Sequence, residues 1–336
     1  MTPGPDPLRL DNGQAIDAIA ERIREIVRST FHKRGAVVAV SGGIDSAVCA
    51  ALAVRALGKQ NVLMLFLPDR DSSPESLALG RELAGVLGAE STVEDITPIL
   101  SGFGCYARQA EAIRMVFPLF QEGWKFKVVL PPLLEGERLS LSRLVVEKPD
   151  GEQWSGRLPH AAYLQLIAAT NFKQRSRKML EYYHADRLNY AVCGTPNRLE
   201  YDQGFFVKGG DGLADFKPIA HLYKTQVFSL ARTLGVPEGI WKRTPTTDTF
   251  PLAQTQEEFY FSISYDKLDL CLWSHNHGVS APEAGALTGL TEEQVRRVFA
   301  DIEAKRRTTH PLHLHSVLIE PVPEIERAAG GIHPRP

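Results

Sequence analysis

Short apolar runs alternate with segments of helical periodicity in the first hundred residues. Apolar side chains recur at helical spacing over residues 16–30, which predicts an amphipathic helix. Residues 36–40 and 62–67 are apolar runs typical of buried parallel strands. Residues 47–57 and Pro74–Leu87, which follow them, have the pattern of helices. This alternation predicts an α/β fold with a doubly wound parallel sheet and right-handed crossovers.

The pattern changes between about residues 100 and 160. Residues 124–130 predict a strand. Residues 139–147 and 153–158 flank a turn at residues 149–151, with the sequence Pro-Asp-Gly, and this arrangement predicts a β-hairpin. We interpret the whole region as an insertion that decorates the sheet.

The alternation of strands and helices continues on both sides of this insertion. Thr291 and Gln294 have the spacing of a capping box, which predicts a last helix reaching about residue 307. The remaining predicted elements are strands over residues 91–96 and 190–193 and helices over residues 160–183 and 224–234. We therefore expect C-terminal helices to complete the fold.

The composition is that of an ordinary globular protein. The chain has 336 residues, 43% of them hydrophobic, and we expect a single domain over residues 11–310 with flexible tails at 1–10 and 321–336. Its 38 basic and 40 acidic residues give a net charge of −2, which argues against nucleic acid or an anionic membrane as a partner. Four widely separated cysteines argue against a zinc site or a disulfide framework.

We expect a cytoplasmic protein, because the amino terminus does not resemble a signal peptide and no run of about 18 apolar residues occurs.

A loop rich in glycine and serine joins the first predicted strand to the next helix. Its sequence is Ser41-Gly42-Gly43-Ile44-Asp45-Ser46. Glycines let the backbone approach an anion closely, and a helix start offers unpaired N–H groups. Asp45 would repel phosphate, and a Mg²⁺ ion between them would resolve the conflict. No lysine follows the glycines, which excludes a Walker A loop, and a glycine-rich turn without a ligand is the alternative.

The SGGxDS string resembles the PP-loop of the ATP pyrophosphatase superfamily, whose members adenylate a substrate and release pyrophosphate. The resemblance implies an adenine nucleotide α-hydrolase-like fold. It also implies that the loop contacts ATP from Ala39 and Val40 onward, through Ser46.

A second cluster, over residues 194–226, resembles the ammonia-dependent NAD synthetase family. The family strings are GT-x-N-x-x-E, G-[FY]-F-x-K-x-G-D-G-x-x-D and L-x-K-x-[QE], and all three occur here in order. Residues 171–179 resemble the family's N-x-K-A-R-x-R-M helix. Further resemblances, to P-[ST]-A-D, G-Q-T-D-E-E and I-S-Y-D-E-I-D, lie at residues 245–248, 253–258 and 263–269.

This resemblance implies roles for single residues at the ATP end of the site. Asp45 and Glu200 would bind Mg²⁺, which suits a hard cation that prefers carboxylate oxygens. Thr195, Lys224 and Thr246 would contact ATP together with the loop. Asp45 and Lys224 would act in catalysis, because charge builds up as pyrophosphate leaves.

The resemblance implies a separate set of residues for the acceptor substrate. Arg175, Lys208, Asp215 and Lys305 would contact deamido-NAD. Asp215 is also a candidate catalytic acceptor of a proton from the attacking ammonia. The alternative for each basic residue is that it is a solvated surface charge with no role in binding.

The activity implied is that of an ATP-dependent amide ligase that adenylates the nicotinate carboxylate of deamido-NAD, releases pyrophosphate and transfers ammonia to give NAD. ATP and Mg²⁺ are the implied cofactors and a homodimer the implied assembly. Because the SGGIDS loop begins at residue 41, we expect no preceding glutaminase domain. Free ammonia, or ammonia from a separate glutaminase, would then be the nitrogen source.

Several departures from the family strings leave other functions open. The family often has Thr-Lys-Tyr-Gly where residues 207–210 read Val-Lys-Gly-Gly, and its His-Lys-Arg becomes Ala-Lys-Arg at residues 304–306. Leu199 replaces a small polar residue before the acid. These changes would fit a related ligase that amidates a different carboxylate. A catalytically silent nucleotide-binding protein is the third alternative.

Overall fold

The computed structural model describes residues 6–130, 142–244 and 250–324. Seven strands lie in this part of the chain: β1 (Ala36–Ala39), β2 (Val62–Phe66), β3 (Glu90–Val93), β4 (Lys125–Val129), β5 (Arg143–Glu147), β6 (Gln153–Arg157) and β7 (Ala191–Cys193). Four of them form a central parallel sheet in the order β3-β2-β1-β7. The other three form a separate antiparallel sheet in the order β4-β5-β6.

Helices supply most of the remaining described structure. The α-helices are α1 (Asn12–Glu25), α2 (Ile44–Leu57), α3 (Pro74–Leu87), α4 (Thr97–Gly102), α5 (Cys105–Arg114), α6 (His160–Leu188), α7 (Arg198–Gln203), α8 (Lys224–Thr233), α9 (Glu238–Trp241), α10 (Tyr265–Asn276), α11 (Ala281–Thr288) and α12 (Glu292–His313). A π-helical turn, Ile26–Thr30, continues α1, and another spans Glu257–Phe261. No helix in the three described ranges is long and apolar enough to cross a membrane.

Both faces of the parallel sheet are covered by helices. Ala36 and Val38 of β1 belong to a hydrophobic cluster that includes side chains of α1, α2 and α8. Val37 belongs to a cluster on the opposite face, with side chains of α4, α5 and α6. Successive residues of a strand point to opposite faces, so the short run 36–39 serves both layers. The predicted doubly wound α/β fold is confirmed.

The insertion contains the predicted hairpin. Strands β5 and β6 pair antiparallel, and Lys148 N donates to Glu152 O at 2.9 Å across the turn. Phe126, Leu144 and Val146 lie in a hydrophobic cluster that also includes Leu166 of α6. The same region contains α4 and α5, which the sequence pattern did not predict.

The ends of several helices differ from those predicted. The capping box at Thr291 and Gln294 is present, but α12 continues past residue 307 to His313 and contains Pro311. Lys208 Nζ donates to Pro311 O at 2.9 Å and to Leu314 O at 3.1 Å. A lysine beside the last carbonyls stabilises a helix end, and this tertiary contact explains the extra length.

Candidate active site

The loop over residues 41–46, here called the phosphate loop, follows β1 at the carboxyl edge of the parallel sheet. Gly42 has φ of +79°, and a Cβ atom on it would lie 2.5 Å from Ser76 O. Only glycine fits this turn, because other side chains are strained at positive φ and would clash here. Ser46 Oγ donates to Gly43 O at 3.0 Å, which fixes the turn from the helix side.

The N-terminus of α2 offers backbone amides that could bind an anion. The helix begins at Ile44 with Gly43 at the N-cap, and no side chain caps its first amides. Unpaired N–H groups at a helix start bind phosphate or other anions. Ile44 and Asp45, in the first turn of α2, line a large cavity, so their amides lie where a polyphosphate could meet them.

This cavity has a volume of about 590 Å³ and runs from the phosphate loop to the end of α12. One group of its lining residues surrounds the loop: Ala39, Val40, Ser41, Gly42, Gly43, Ile44, Asp45, Ser46, Thr195, Glu200, Arg243 and Gln256. A second group lies on α6, on α12 and, for Lys208, between α7 and α8: Arg175, Arg177, Lys178, Lys208, Thr309 and Leu312. The predicted nucleotide loop and two of the predicted acceptor-binding cations therefore share one cavity.

Asp45 and Glu200 are linked by Asn197. Asn197 Nδ2 donates to Asp45 Oδ1 at 3.0 Å, while its backbone N donates to Glu200 Oε2 at 3.1 Å. Asn197 is also the N-cap of α7 and forms a capping box with Glu200. The predicted pair of acids is thus brought together from two distant parts of the chain.

The electrostatics of this pair fit a divalent cation. Burial raises the pKa of Glu200 to about 8, and the negative charge of Asp45 adds to the effect. Two carboxylates close together in a buried site are poorly neutralised by one ammonium. Among the described residues, no group of three or more metal-binding side chains occurs. A Mg²⁺ ion here would take Asp45 and Glu200 as ligands and complete its oxygen shell with phosphate and water.

Lys224 lies behind Asp45 rather than on the cavity wall. Its buried ammonium donates to Asp45 Oδ2. The backbone N of Lys224 and of Thr225 donate to the buried carboxylate of Asp269 at 3.2 and 2.7 Å, which fixes the start of α8. Burial alone lowers the pKa of Lys224, but the charges of Asp45 and Glu200 outweigh burial and raise it. Lys224 therefore holds Asp45 in place as a permanent cation.

Arg175 and Lys208 both line the cavity and lie next to each other. Arg175 Nε donates to Lys208 O at 3.3 Å, and both residues are exposed. As described above, the ammonium of Lys208 is bound to the last carbonyls of α12. Arg175 and Lys208 therefore add positive charge to the lining of the cavity that contains the phosphate loop.

Other predicted residues lie elsewhere or outside the described residues. Asp215 Oδ2 accepts from Val192 N at 2.7 Å and Oδ1 accepts from Tyr182 OH at 3.1 Å, so Asp215 braces β7 and does not line the cavity. Lys305 Nζ pairs with Asp301 at 2.8 Å and also does not line it. Thr246 falls outside the described residues.

Comparison with known proteins shows the family to which this chain belongs. A sequence model described as NAD synthase matches residues 15–117 and 148–311. The chain belongs to the NAD synthase family. The NH(3)-dependent NAD(+) synthetase of Rhizobium rhizogenes is 55% identical over 317 residues, which cover 94% of this chain and 96% of that protein.

Solved structures agree on the fold at lower identity. The NMN synthetase of Francisella tularensis has a TM-score of 0.63 and 22% identity, and covers 92% of this chain and 99% of its own. The NH3-dependent NAD synthetase of Campylobacter jejuni has a TM-score of 0.61 and 23% identity, over 93% of this chain and 100% of its own. The NAD synthase model leaves residues 118–147 unmatched, and this stretch contains β4 and β5 of the insertion.

The sequence analysis gave no role to three polar residues at the site of this NAD synthase fold. Asn197 had a local signal, since its spacing to Glu200 is that of a capping box. Gln256 Nε2 donates to Glu200 Oε1 at 3.2 Å, and Arg243 Nη1 donates to Ser76 Oγ at 3.0 Å beside the phosphate loop. Arg243 reaches the cavity from a distant segment, and no local pattern marks it. Gln256 lies in the segment 253–258 that resembles the family string G-Q-T-D-E-E, but that resemblance gave it no role.

The basic helix α6 is anchored rather than merely solvated. Lys173 is 1% exposed and pairs with Asp69 at 3.3 Å and Asp71 at 2.7 Å. Arg177 pairs with Asp69 at 3.0 Å and donates to Leu67 O at 3.0 Å. These contacts tie α6 to the segment after β2 and so fix the position of Arg175 in the NAD synthase cavity.

Proposed function

We propose that this chain is an ATP-dependent amide ligase that converts deamido-NAD and ammonia to NAD. The observation that carries the proposal is the shared cavity, which is lined by the phosphate loop, the Asp45–Glu200 pair, Arg175 and Lys208. Family membership and the activity named for the Rhizobium rhizogenes relative support the same substrates.

In the first step, a carboxylate oxygen of deamido-NAD attacks the α-phosphorus of ATP. The bond from that phosphorus to the bridging oxygen breaks, and pyrophosphate leaves with the electron pair. The amides at the start of α2 hold the departing diphosphate, and Lys224 holds the side chain of Asp45 in place. A Mg²⁺ ion, when bound by Asp45 and Glu200, supplies neutralising charge for the phosphate oxygens.

In the second step, ammonia attacks the carbonyl carbon of the acyl-adenylate, the nitrogen releases one proton to solvent, and AMP departs with the electrons of the C–O bond. Arg175 and Lys208 hold the negative charges of the dinucleotide and keep its carboxylate aimed at the ATP end. No side-chain nucleophile is needed, so positioning and charge neutralisation provide the catalysis.

We also propose the finer features implied by the family resemblance. These are Mg²⁺ as the cofactor, a homodimer as the assembly, the cytoplasm as the location, and ammonia that arrives free or from a separate glutaminase. Thr195, which lines the cavity, and Thr246 complete the proposed ATP contacts. Lys305 pairs with Asp301 and Asp215 braces β7, so neither is assigned a direct contact with deamido-NAD.

A pyrophosphate release assay with NAD detection tests the proposal. We expect release that requires ATP, Mg²⁺, deamido-NAD and ammonia together, with one NAD formed per pyrophosphate. Release with nicotinic acid mononucleotide or another acid, but not with deamido-NAD, would instead support a related ligase with a different acceptor. Binding of ATP without turnover of any acid would support a silent nucleotide-binding protein.

A further inference from the structure

Gln256 holds one oxygen of Glu200 and is itself held by a neighbouring hydroxyl. Its Nε2 donates to Glu200 Oε1 at 3.2 Å, and its Oε1 accepts from Tyr265 OH at 2.5 Å. The other oxygen of Glu200 accepts from Asn197 N, as described above. Because both carboxylate oxygens have a fixed donor, the carboxylate is held in one orientation.

The backbone before Gln256 is attached to the inserted antiparallel sheet. Strand β4 lies at an edge of that sheet, and Leu252 N donates to Phe126 O at 3.2 Å along this edge. Gln254 Nε2 donates to Val128 O, and Lys127 Nζ donates to Ala253 O at 3.5 Å. Residues 252–254 therefore follow the edge of β4 closely.

Aromatic packing strengthens this attachment on both sides of Gln256. The ring of Phe250 lies 5.5 Å from that of Phe126 in β4 and 5.4 Å from that of Phe259. Beyond it, Tyr260 OH donates to Gln203 O at 2.7 Å, at the end of the helix that carries Glu200. Gln256 thus sits between one anchor on the inserted sheet and another on α7.

The residue type at position 256 also differs from that in the family string. The string G-Q-T-D-E-E has an acid where this chain has Gln256. An acid there would face the Glu200 carboxylate and repel it, whereas the amide donates a hydrogen bond to it. An amide donor stabilises the ionised carboxylate that a cation requires.

We propose that Gln256 is a positioning residue for Glu200 and that the inserted sheet holds Gln256 in place. The inference rests on the proposed function, in which Glu200 binds Mg²⁺. Partners that orient a metal-binding carboxylate typically change metal affinity about 10- to 100-fold when removed. The insertion therefore contributes to the metal site without touching the metal.

The test measures Mn²⁺ affinity of the full chain with ATP present, from the electron paramagnetic resonance signal of free Mn²⁺. Gln256→Met keeps the side-chain length but removes the donor and the acceptor. We expect its Mn²⁺ affinity to fall about 10- to 100-fold, with a matching rise in the Mg²⁺ concentration needed for half-maximal rate and little change in the rate at saturating Mg²⁺. Wild-type affinity in this variant would overturn the proposal.

A second variant tests whether the inserted sheet holds Gln256 in place. Gln254→Met removes the hydrogen bond to Val128 O, and we expect a smaller loss of Mn²⁺ affinity in the same direction. Unchanged affinity there would overturn the part assigned to the sheet. Gln153→Met, on the exposed side of β6, is the matched control and should bind Mn²⁺ like the wild type.

The outcomes separate this inference from the proposed function. Wild-type protein that binds Mn²⁺ with ATP but makes no NAD would contradict the proposed substrates while the effect of Gln256→Met still supports the inference. Wild-type protein that binds no Mn²⁺ with ATP would overturn the inference together with the metal role of Glu200.

Discussion

Asn197 makes the hydrogen bonds that link the two acids of the site. Its side-chain amide bonds Asp45, its backbone bonds Glu200, and its side-chain oxygen caps α7. The sequence predicted both acids, because the strings around them have fixed residue types at fixed spacing. It could not predict that Lys224 lies behind Asp45 or that Asp215 braces β7, since those contacts depend on the tertiary arrangement.

Asp45→Asn tests the metal role directly. The substitution keeps the size of the side chain but removes one of two negative charges from the proposed Mg²⁺ site. We expect the rate of pyrophosphate release to fall by about 100-fold or more. Asp17→Asn is the control, because Asp17 is an exposed carboxylate on α1 that pairs with Arg55. Normal turnover by the Asp45 variant, with an unchanged Mg²⁺ requirement, would contradict the role.

Arg243→Ala tests the guanidinium beside the phosphate loop. Arg243 lines the cavity and donates to Ser76, the residue packed against Gly42. If ATP phosphates bind the loop, loss of this cation should raise the KM for ATP about 10-fold, or about 1.4 kcal/mol, and leave the KM for deamido-NAD nearly unchanged. Lys242→Ala removes an exposed neighbouring charge and should have no effect. Equal changes in both KM values would instead indicate a general structural defect.

Elements with strong periodicity were predicted well, and those held by distant contacts were not. The helix Pro74–Leu87 begins at a proline and ends before Gly88 at φ of +62°, and both signals are local. By contrast, α4 and α5 pack on α6, and α12 is prolonged by Lys208. Their existence or length depends on residues far away in the chain, so a local pattern cannot reveal them.

The short helix α7 depends on its N-cap residue, Asn197, for both stability and the position of Glu200. Asn197→Ala removes the N-cap and the hydrogen bond to Asp45, so we expect a loss of about 1–2 kcal/mol in stability and a marked loss of activity. Ser280→Ala removes the corresponding cap of α11, which does not contribute to the cavity. Thermal melting and NAD formation should therefore show similar stability losses but different activities. Full activity in the Asn197 variant would contradict the linking role.

Across the whole molecule, one cavity joins parts of the chain that lie far apart in sequence. The parallel sheet supplies the phosphate loop, α7 supplies Glu200, and α6 supplies Arg175. The sequence predicted the α/β architecture. That the phosphate loop binds ATP stays a prediction. That residues 11–310 form a single domain stays a prediction. The connection from the inserted sheet through Gln256 to Glu200 was beyond sequence reasoning, because residues 126–128 and 252–254 meet only in the folded chain.

Lys173 should be important for holding these parts together. Its side chain is almost fully buried between Asp69 and Asp71, and Asp69 is also bound by Arg177. Lys173→Met removes one partner of a buried network while Arg177 still compensates part of the charge. We expect the free energy of unfolding to fall by about 3 kcal/mol, measured by urea denaturation.

The same substitution should loosen α6 against the segment after β2 and so displace Arg175. We therefore expect the KM for deamido-NAD to rise more than the KM for ATP, because the phosphate loop belongs to a different part of the sheet edge. Arg55→Met breaks an exposed ion pair. It should lower the free energy of unfolding by less than about 1 kcal/mol and change neither KM. If Lys173→Met were as harmless as Arg55→Met, the buried network could not be what fixes α6, and the position of Arg175 would have to depend on the hydrophobic contacts of α6 alone.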